Sequence, residues 1–193
     1  MWKDFILGDG SKVVKKIEIN GKVAFKRKSY TDTEFTGCPF PTSWIVVTTG
    51  TNYKATNDYG EWNIEASDYQ NNGIDRAFDN NGSVPYDSGT SIPREFGIIL
   101  PSKVTIKPTS FYLRYRYTTS TDVLQGYDEQ TSSWIEISKL KKESGLYTHN
   151  ISYSGDKFFS KFRIYSTEWF SSSRKKIYFY LFSIDKGIIR TEV

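Results

Sequence analysis

Cysteine, methionine and histidine each occur once in the 193 residues. With Cys38 alone, no intrachain disulfide forms and no cysteine-based structural zinc site can be built. The fold must therefore hold by packing. His149, in Tyr147-Thr148-His149-Asn150, is the sole imidazole, so a histidine-rich metal motif is excluded. A catalytic triad would need this one ring beside a nucleophile and a carboxylate, whereas a lone histidine in an alternating strand is expected to be structural or solvated. Neither a phosphate-binding glycine loop nor a nucleophile elbow occurs. Long apolar runs are missing too. No segment approaches a membrane span, and the run within Met1–Asp9 is far shorter than a signal-peptide core. The expectation is a protein made in a cytoplasm and carried outward, if at all, by an assembly.

The formal net charge is +4, but residues 1–30 hold eight Lys/Arg against three Asp/Glu, so the other 163 residues sum to −1. A nucleic-acid-binding domain would carry its basic stripe on the folded body, and no nucleic-acid or membrane partner is expected. Paired carboxylates suit glycoside hydrolysis, yet nothing singles out one pair among the 22 acidic residues.

What the chain does have is aromatics, at 17% with 14 Tyr and 13 Phe, and abundant Ser and Thr. That composition favours strands and an all-β class. The length suits one main domain with an appendage. Val13 to Lys28 reads as a hairpin around Asn20-Gly21, a pair that accepts the positive φ of a type I′ turn. A two-residue turn would set Ile17 and Ile19 across from Ala24 and Lys22, leaving Val23 and Phe25 on the other face; a bulge corrects this, or both faces are covered. Tyr30 to Trp44, with Gly37, Pro39 and Pro41, reads as a linker. The expected division is an attachment arm and linker over 1–43 and a main domain over 44–193.

In the main domain, strands are expected at Trp44–Thr49, Phe96–Leu100, Val104–Ile106, Phe111–Thr118, Trp134–Ile137, Tyr147–Tyr153, Lys161–Tyr165 and Lys176–Ile184, with a helical turn near Gly73–Phe78. Their alternation and turn-rich spacing suit a sandwich. Trp134, Phe96, Phe111, Leu113, Phe162 and Ile164 are the expected core. Tyr115-Arg116-Tyr117 is either a ligand-facing strand or an aromatic ladder at the surface.

One ordered set of segments carries a resemblance. Ala66-Ser67-Asp68-Tyr69, Gly73-Ile74-Asp75-Arg76-Ala77-Phe78-Asp79-Asn80-Asn81-Gly82, Tyr86-Asp87-Ser88-Gly89 and Arg94-Glu95-Phe96-Gly97-Ile98-Ile99-Leu100-Pro101 come first. Phe111–Tyr117, Leu124–Asp128, Ser133–Ile137, Phe162–Tyr165 and Phe182–Gly187 follow. This order, over roughly residues 44 to 190, resembles the galactose-binding-like family, also called discoidin or coagulation factor 5/8 type C domains. The resemblance implies a β-sandwich jelly roll and a binding module without catalysis. In many relatives a structural calcium sits against the acidic loop, which implies Asp79 as a ligand here. Asn80 in place of a common Gly, and Tyr86 in place of a frequent Trp, depart from the pattern and weigh against the calcium more than the fold. Separately, Ile17-Glu18-Ile19-Asn20-Gly21-Lys22-Val23 is similar to basic segments near the ends of bacteriophage tail and baseplate proteins. That likeness implies a virion location, with other virion proteins bound through residues 1–43.

Two loops are candidates for ligand contact. Sugar recognition needs an aromatic face for the C–H side of a pyranose and a few planar polar groups for its hydroxyls. Thr167-Glu168-Trp169-Phe170-Ser171-Ser172-Ser173-Arg174 offers Trp169, Phe170 and Arg174; Ser67-Asp68-Tyr69-Gln70-Asn71-Asn72 offers Tyr69 and Asn71. The competing reading makes Trp169 or Phe170 a plug for the sandwich end, or a contact with another subunit. Asp68, Asn71, Asn72, Asp75, Asp79, Asn80 and Asn81 supply hard oxygen ligands for Ca²⁺, or else form a polar turn whose side chains bond their own backbone. The functional expectation is a non-enzymatic virion module recognising host-surface carbohydrate. The alternatives are a purely structural virion protein and, third, a carbohydrate-active enzyme.

Overall fold

The computed structural model describes residues 28–193 throughout and, ahead of them, the backbone of four short strands: β1 (Ile6–Leu7), β2 (Lys12–Val13), β3 (Lys16–Ile19) and β4 (Lys22–Lys26). The chain forms two compact units, Met1–Thr31 with Glu192–Val193, and Asp32–Thr191. In the first, β1 pairs antiparallel with β2 and β3 with β4. The β3–β4 pair is the hairpin read from sequence, although Asn20 and Gly21 themselves lie outside the described residues. Its register sets Ile19 across from Lys22 and Ile17 across from Phe25, with a bulge between Ile17 and Glu18. The extra residue moves every later pair by one position. Of the two ways to reconcile the hairpin pattern, the chain uses the bulge.

The second unit is a sandwich of two sheets. One has seven strands in the order β13-β12-β15-β10-β8-β7-β6, where β6 is Ile45–Thr48, β7 Asn52–Asn57, β8 Gly60–Ala66, β10 Arg94–Ile99, β12 Val123–Asp128, β13 Ser133–Lys139 and β15 Lys161–Ser166. The other runs β14-β11-β16-β5, where β5 is Tyr30–Thr36, β11 Val104–Arg116, β14 Tyr147–Ser152 and β16 Tyr178–Glu192; β9 (Tyr86–Asp87) pairs with β16. A single helical turn, α1 (Asp75–Phe78), falls where the sequence places one. The chain is all-β, as its composition requires.

Period-two patterning builds the core. Phe96 and Ile98 of β10, Phe162 and Ile164 of β15, and Trp62 and Ile64 of β8 are buried on one sheet; Phe111, Leu113, Phe179, Phe182 and Ile184 are buried on the other. Rings meet between the sheets, Phe96 with Phe179 at 4.7 Å and Phe111 with Phe162 at 5.7 Å between centroids, both edge-on. Each such ring is worth about 1.5–3 kcal/mol when removed from water. The expected core residues Phe96, Phe111, Leu113, Phe162 and Ile164 are all here.

Several local readings are corrected. Tyr30 to Trp44 is not a bare linker, because it contains β5, and Phe40 is 6% exposed against Trp62 at 5.6 Å and Phe78 at 5.9 Å. Proline and glycine punctuate the strand's exit without excluding the strand itself. Val104–Ile106 and Phe111–Arg116 belong to one thirteen-residue strand, β11, which stops two residues short of the expected Thr118 and is carried past Pro108 by register shifts against β16. A bulge tolerates the missing N–H, and Pro108 faces Gly187, where a Cβ would stand 2.5 Å from the Lys107 carbonyl. The β7–β8 hairpin went unread because its inward residues Tyr53 and Ala55 alternate with Lys54 and Thr56 in a weakly apolar stretch. Trp134 is not core. On β13, Ile135 and Ile137 pack toward the core, so the alternating Trp134 and Glu136 take the outer face, where Trp134 meets Tyr127 at 5.2 Å. Tyr115 is fully buried rather than part of a surface ladder.

Candidate functional site

Strand register gathers four loops at one end of the seven-stranded sheet. Arg94 at the start of β10 pairs with Ser166 at the end of β15, Phe96 with Ala66 at the end of β8, and Val123 at the start of β12 with Tyr165. The connections 67–74, 88–93, 117–122 and 167–177 therefore emerge together.

Arg94 organises this end from below. It occupies the inward parity of β10, with Phe96 and Ile98, and is 3% exposed. Its guanidinium donates to Ser166 Oγ at 2.9 Å, to the Glu168 carbonyl at 2.6 Å and to the Lys175 carbonyl. It thus grips both ends of the loop bearing Trp169. Burial pushes the Arg94 pKa down, opposed by the nearby Asp122 carboxylate and Tyr86. Burial pushes Asp122 up, opposed by hydrogen bonds from Ser166 and Thr119 and by Arg94. Asp122 accepts from Thr119 N at 2.7 Å and closes the 117–122 loop.

Trp169 rides on this clamped loop, 39% exposed. Its Nε1–H donates to the Thr90 carbonyl at 3.1 Å, and Lys175 Nζ lies 4.5 Å from its ring centroid. An exposed indole held by its own hydrogen bond does not plug the sandwich end. Phe170 has separate partners. It is half-buried against Tyr117 at 5.8 Å, with Lys142 near its ring, while Arg174 stacks on Tyr117 at 5.3 Å. The sequence-predicted trio is thus divided: Trp169 in one group, Phe170 and Arg174 in another.

The 67–74 loop is likewise divided. Tyr69 lies flat over the Gly50 turn, where φ is +79° and a Cβ would come within 2.3 Å of the ring. Asn71 is exposed and donates through Nδ2 to Asp87 Oδ2 at 2.9 Å, an oxygen also 3.4 Å from Lys176 Nζ. Asp87 is 2% exposed, and its Oδ1 has no hydrogen-bond partner among the described residues. An unpartnered buried polar atom of this kind costs about 1–3 kcal/mol. Asp68 accepts from Ser91 Oγ at 2.9 Å and takes the Tyr86 hydroxyl on its carbonyl, tying the 67–74 loop to the 88–93 loop.

Asp79 stands apart from this cluster in its bonding. Its Oδ1 accepts from Asn81 N at 2.8 Å, and its Oδ2 lies 3.9 Å from the Arg76 guanidinium. Among the described residues no three His, Cys, Asp or Glu side chains gather in a metal-binding group. One Asp79 oxygen thus closes a turn with Asn81 and the other lies beside Arg76, the bonding of a polar turn. His149 is no triad member. Tyr115 OH accepts from Lys141 N at 3.1 Å and shares a hydrogen bond with His149 Nδ1, also at 3.1 Å, so the ring is engaged by a buried tyrosine. Burial, and then the nearby Lys141 ammonium, push the His149 pKa below its usual value.

Sequence reasoning missed Arg94, Asp87, Lys175 and Lys176. For Arg94 a signal existed, a charge on the parity that β10 otherwise fills with Phe96 and Ile98. For the others none did, since their roles arise between loops distant in sequence.

No family model and no curated protein sequence matches this chain. Solved carbohydrate-binding modules do resemble its structure. The family 32 module of C. perfringens NanJ, solved with galactose, has a TM-score of 0.50 at 9% identity, over 66% of this chain and 93% of that one. A selenomethionine-labelled variant of chitosan-binding module 1 from the chitosanase/glucanase of Paenibacillus sp. IK-5 has a TM-score of 0.50 at 15% identity, over 64% of this chain and 92% of that one. At these identities the likeness is one of fold: the sandwich is a jelly roll of the galactose-binding-like type.

Proposed function

We propose that this protein is a non-catalytic carbohydrate-binding module whose ligand meets the loop end around Trp169. The observation that carries this reading is an indole exposed to solvent on a loop that Arg94 holds rigid from beneath. Preorganised aromatic surface is what a pyranose face needs, because no ordering cost is added on binding. Asn71, Lys176 and Lys175 supply nearby polar groups for hydroxyls. The fold shared with a module solved in complex with galactose supports the reading. The test is a titration of the full chain with galactose, N-acetylglucosamine and oligosaccharides of each. Trp169→Ala should weaken binding by about 1–3 kcal/mol, by analogy with stacking on other flat ligands, while the fold is kept, with about 1 kcal/mol of stability lost with the Thr90 hydrogen bond. Wild-type protein that binds none of these sugars would overturn the reading.

The finer setting is a virion tail or baseplate, with host-surface glycan as ligand and the amino-terminal segment joining other virion proteins. It rests on the Ile17–Val23 pattern alone, and the carbohydrate reading does not depend on it. A second reading, a structural module in contact with neighbouring subunits, is favoured by β6. This edge strand leaves Ile45, Val46 and Val47 at 65%, 53% and 55% exposure. An uncovered apolar edge is a ready template for another chain. Normal incorporation into particles by protein that binds no sugar would establish that reading.

A further inference from the structure

We infer a second sugar-binding site, on the outer face of the seven-stranded sheet, built around Gly97 and distinct from the loop end. A cleft of about 300 Å³ lies there over the central strand β10. Its origin is a missing side chain. The outward residues of β10 are Glu95, Gly97 and Ile99, and Gly97 stands between Arg163 of β15 and Glu65 of β8 in one cross-strand row. A Cβ at Gly97 would come 2.0 Å from the Phe162 carbonyl oxygen, so no other residue fits and the gap is permanent.

One wall is preformed. Arg163 is stacked between Trp134 at 4.0 Å and Tyr165 at 4.6 Å, and is bonded to Gln125 Oε1 at 2.8 Å and to Glu95. The opposite wall is Glu65, whose Oε1 accepts from Asn52 at 3.1 Å and which pairs with no cation among the described residues. Lys161, also lining the cleft, contacts the Tyr127 ring at 5.0 Å and pairs with no carboxylate among them. Close strand approach explains the glycine. It does not explain an unpaired carboxylate and an unpaired ammonium facing one gap.

The chemistry selects a neutral, hydroxyl-rich ligand. Glu65 and Glu95 balance Lys161 and Arg163, so neither a polyanion nor a polycation gains from the site's field. Charged walls disfavour a lipid chain, since their desolvation would go unrepaid. A pyranose offers hydroxyls to Glu65 and Lys161 and a C–H face to Ile99. The volume, at the small end of ligand pockets, admits roughly one or two rings. The site therefore takes a short stretch of uncharged glycan.

The test is amide NMR of the full chain titrated with cellohexaose, chitohexaose and a galactohexaose. At least one should move the Glu65, Gly97 and Arg163 amides saturably. Glu65→Gln and Lys161→Met, which keep side-chain length, should each weaken that response about tenfold, and Trp169→Ala should leave it intact. No response at Gly97 to any of the three overturns the proposal. So does a response that tracks protein rather than sugar concentration, which would make the cleft a contact between copies. Binding here with a silent loop end would refute the loop-end reading alone, and the converse would refute this one.

Discussion

Replacing Arg94 by methionine should separate a structural clamp from a merely buried side chain. The substitution keeps the stem and its packing but removes the guanidinium. Ser166 Oγ and the carbonyls of Glu168 and Lys175 lose their charged donor, and Asp122 loses a favourable positive charge. Hydrogen bonds to charged groups are worth about 1.5–3 kcal/mol each, though not additively, and the Arg94 charge also offsets part of the burial cost of Asp122. Part of the loss is returned, because Arg94 Nε has no hydrogen-bond partner among the described residues and its burial is itself unfavourable. The net expectation is about 3–5 kcal/mol, a fall in Tm of about 6–20 °C for a chain of this size. Differential scanning calorimetry measures it, and hydrogen exchange locates it: amides of 167–175 should lose protection before those of β10 and β15. Arg94→Lys should recover little, because an ammonium is a point donor and cannot span three acceptors in a plane. Arg94→Met together with Asp122→Asn should recover part of the loss by removing the stranded carboxylate. A single Arg94→Met variant melting within a degree or two of wild type would refute the reasoning.

The pKa of His149 is depressed in the folded state, so below its ordinary value of 6.5 the unfolded chain binds a proton that the folded chain does not; stability then falls as pH falls. Denaturant unfolding from pH 7 to 5 should show this slope, and His149→Phe should flatten it. With Asp79 engaged by Asn81 and Arg76, a chelator should leave Tm unchanged; a chelator-induced fall that Asp79→Ala abolishes would restore calcium. Removing residues 1–27 should leave a folded sandwich by circular dichroism. Removing 1–43 should unfold it, since that deletion takes β5 and the buried Phe40, and a single Phe→Ala in a core already costs about 3–5 kcal/mol.

The sequence by itself determined the class, the order of most strands, the helical turn and much of the core, because period-two alternation and turn chemistry are local. Phe96, Phe162 and Ile164 needed no partner to be read as inward. It also determined the β3–β4 hairpin and posed its register problem. The face of an alternating segment is another matter. In Ser133–Lys139 both parities carry large apolar residues, and only pairing with β12 decides that Ile135 faces in and Trp134 out. Arg94 is legible as a charge on the parity of Phe96 and Ile98, but its purpose depends on two carbonyls more than seventy residues away. The division of Trp169 from Phe170, the stranded oxygen of Asp87 and the gap over Gly97 likewise belong to the tertiary structure alone. Each is a relation between segments that meet only when the sheet forms, and no local pattern encodes a distance.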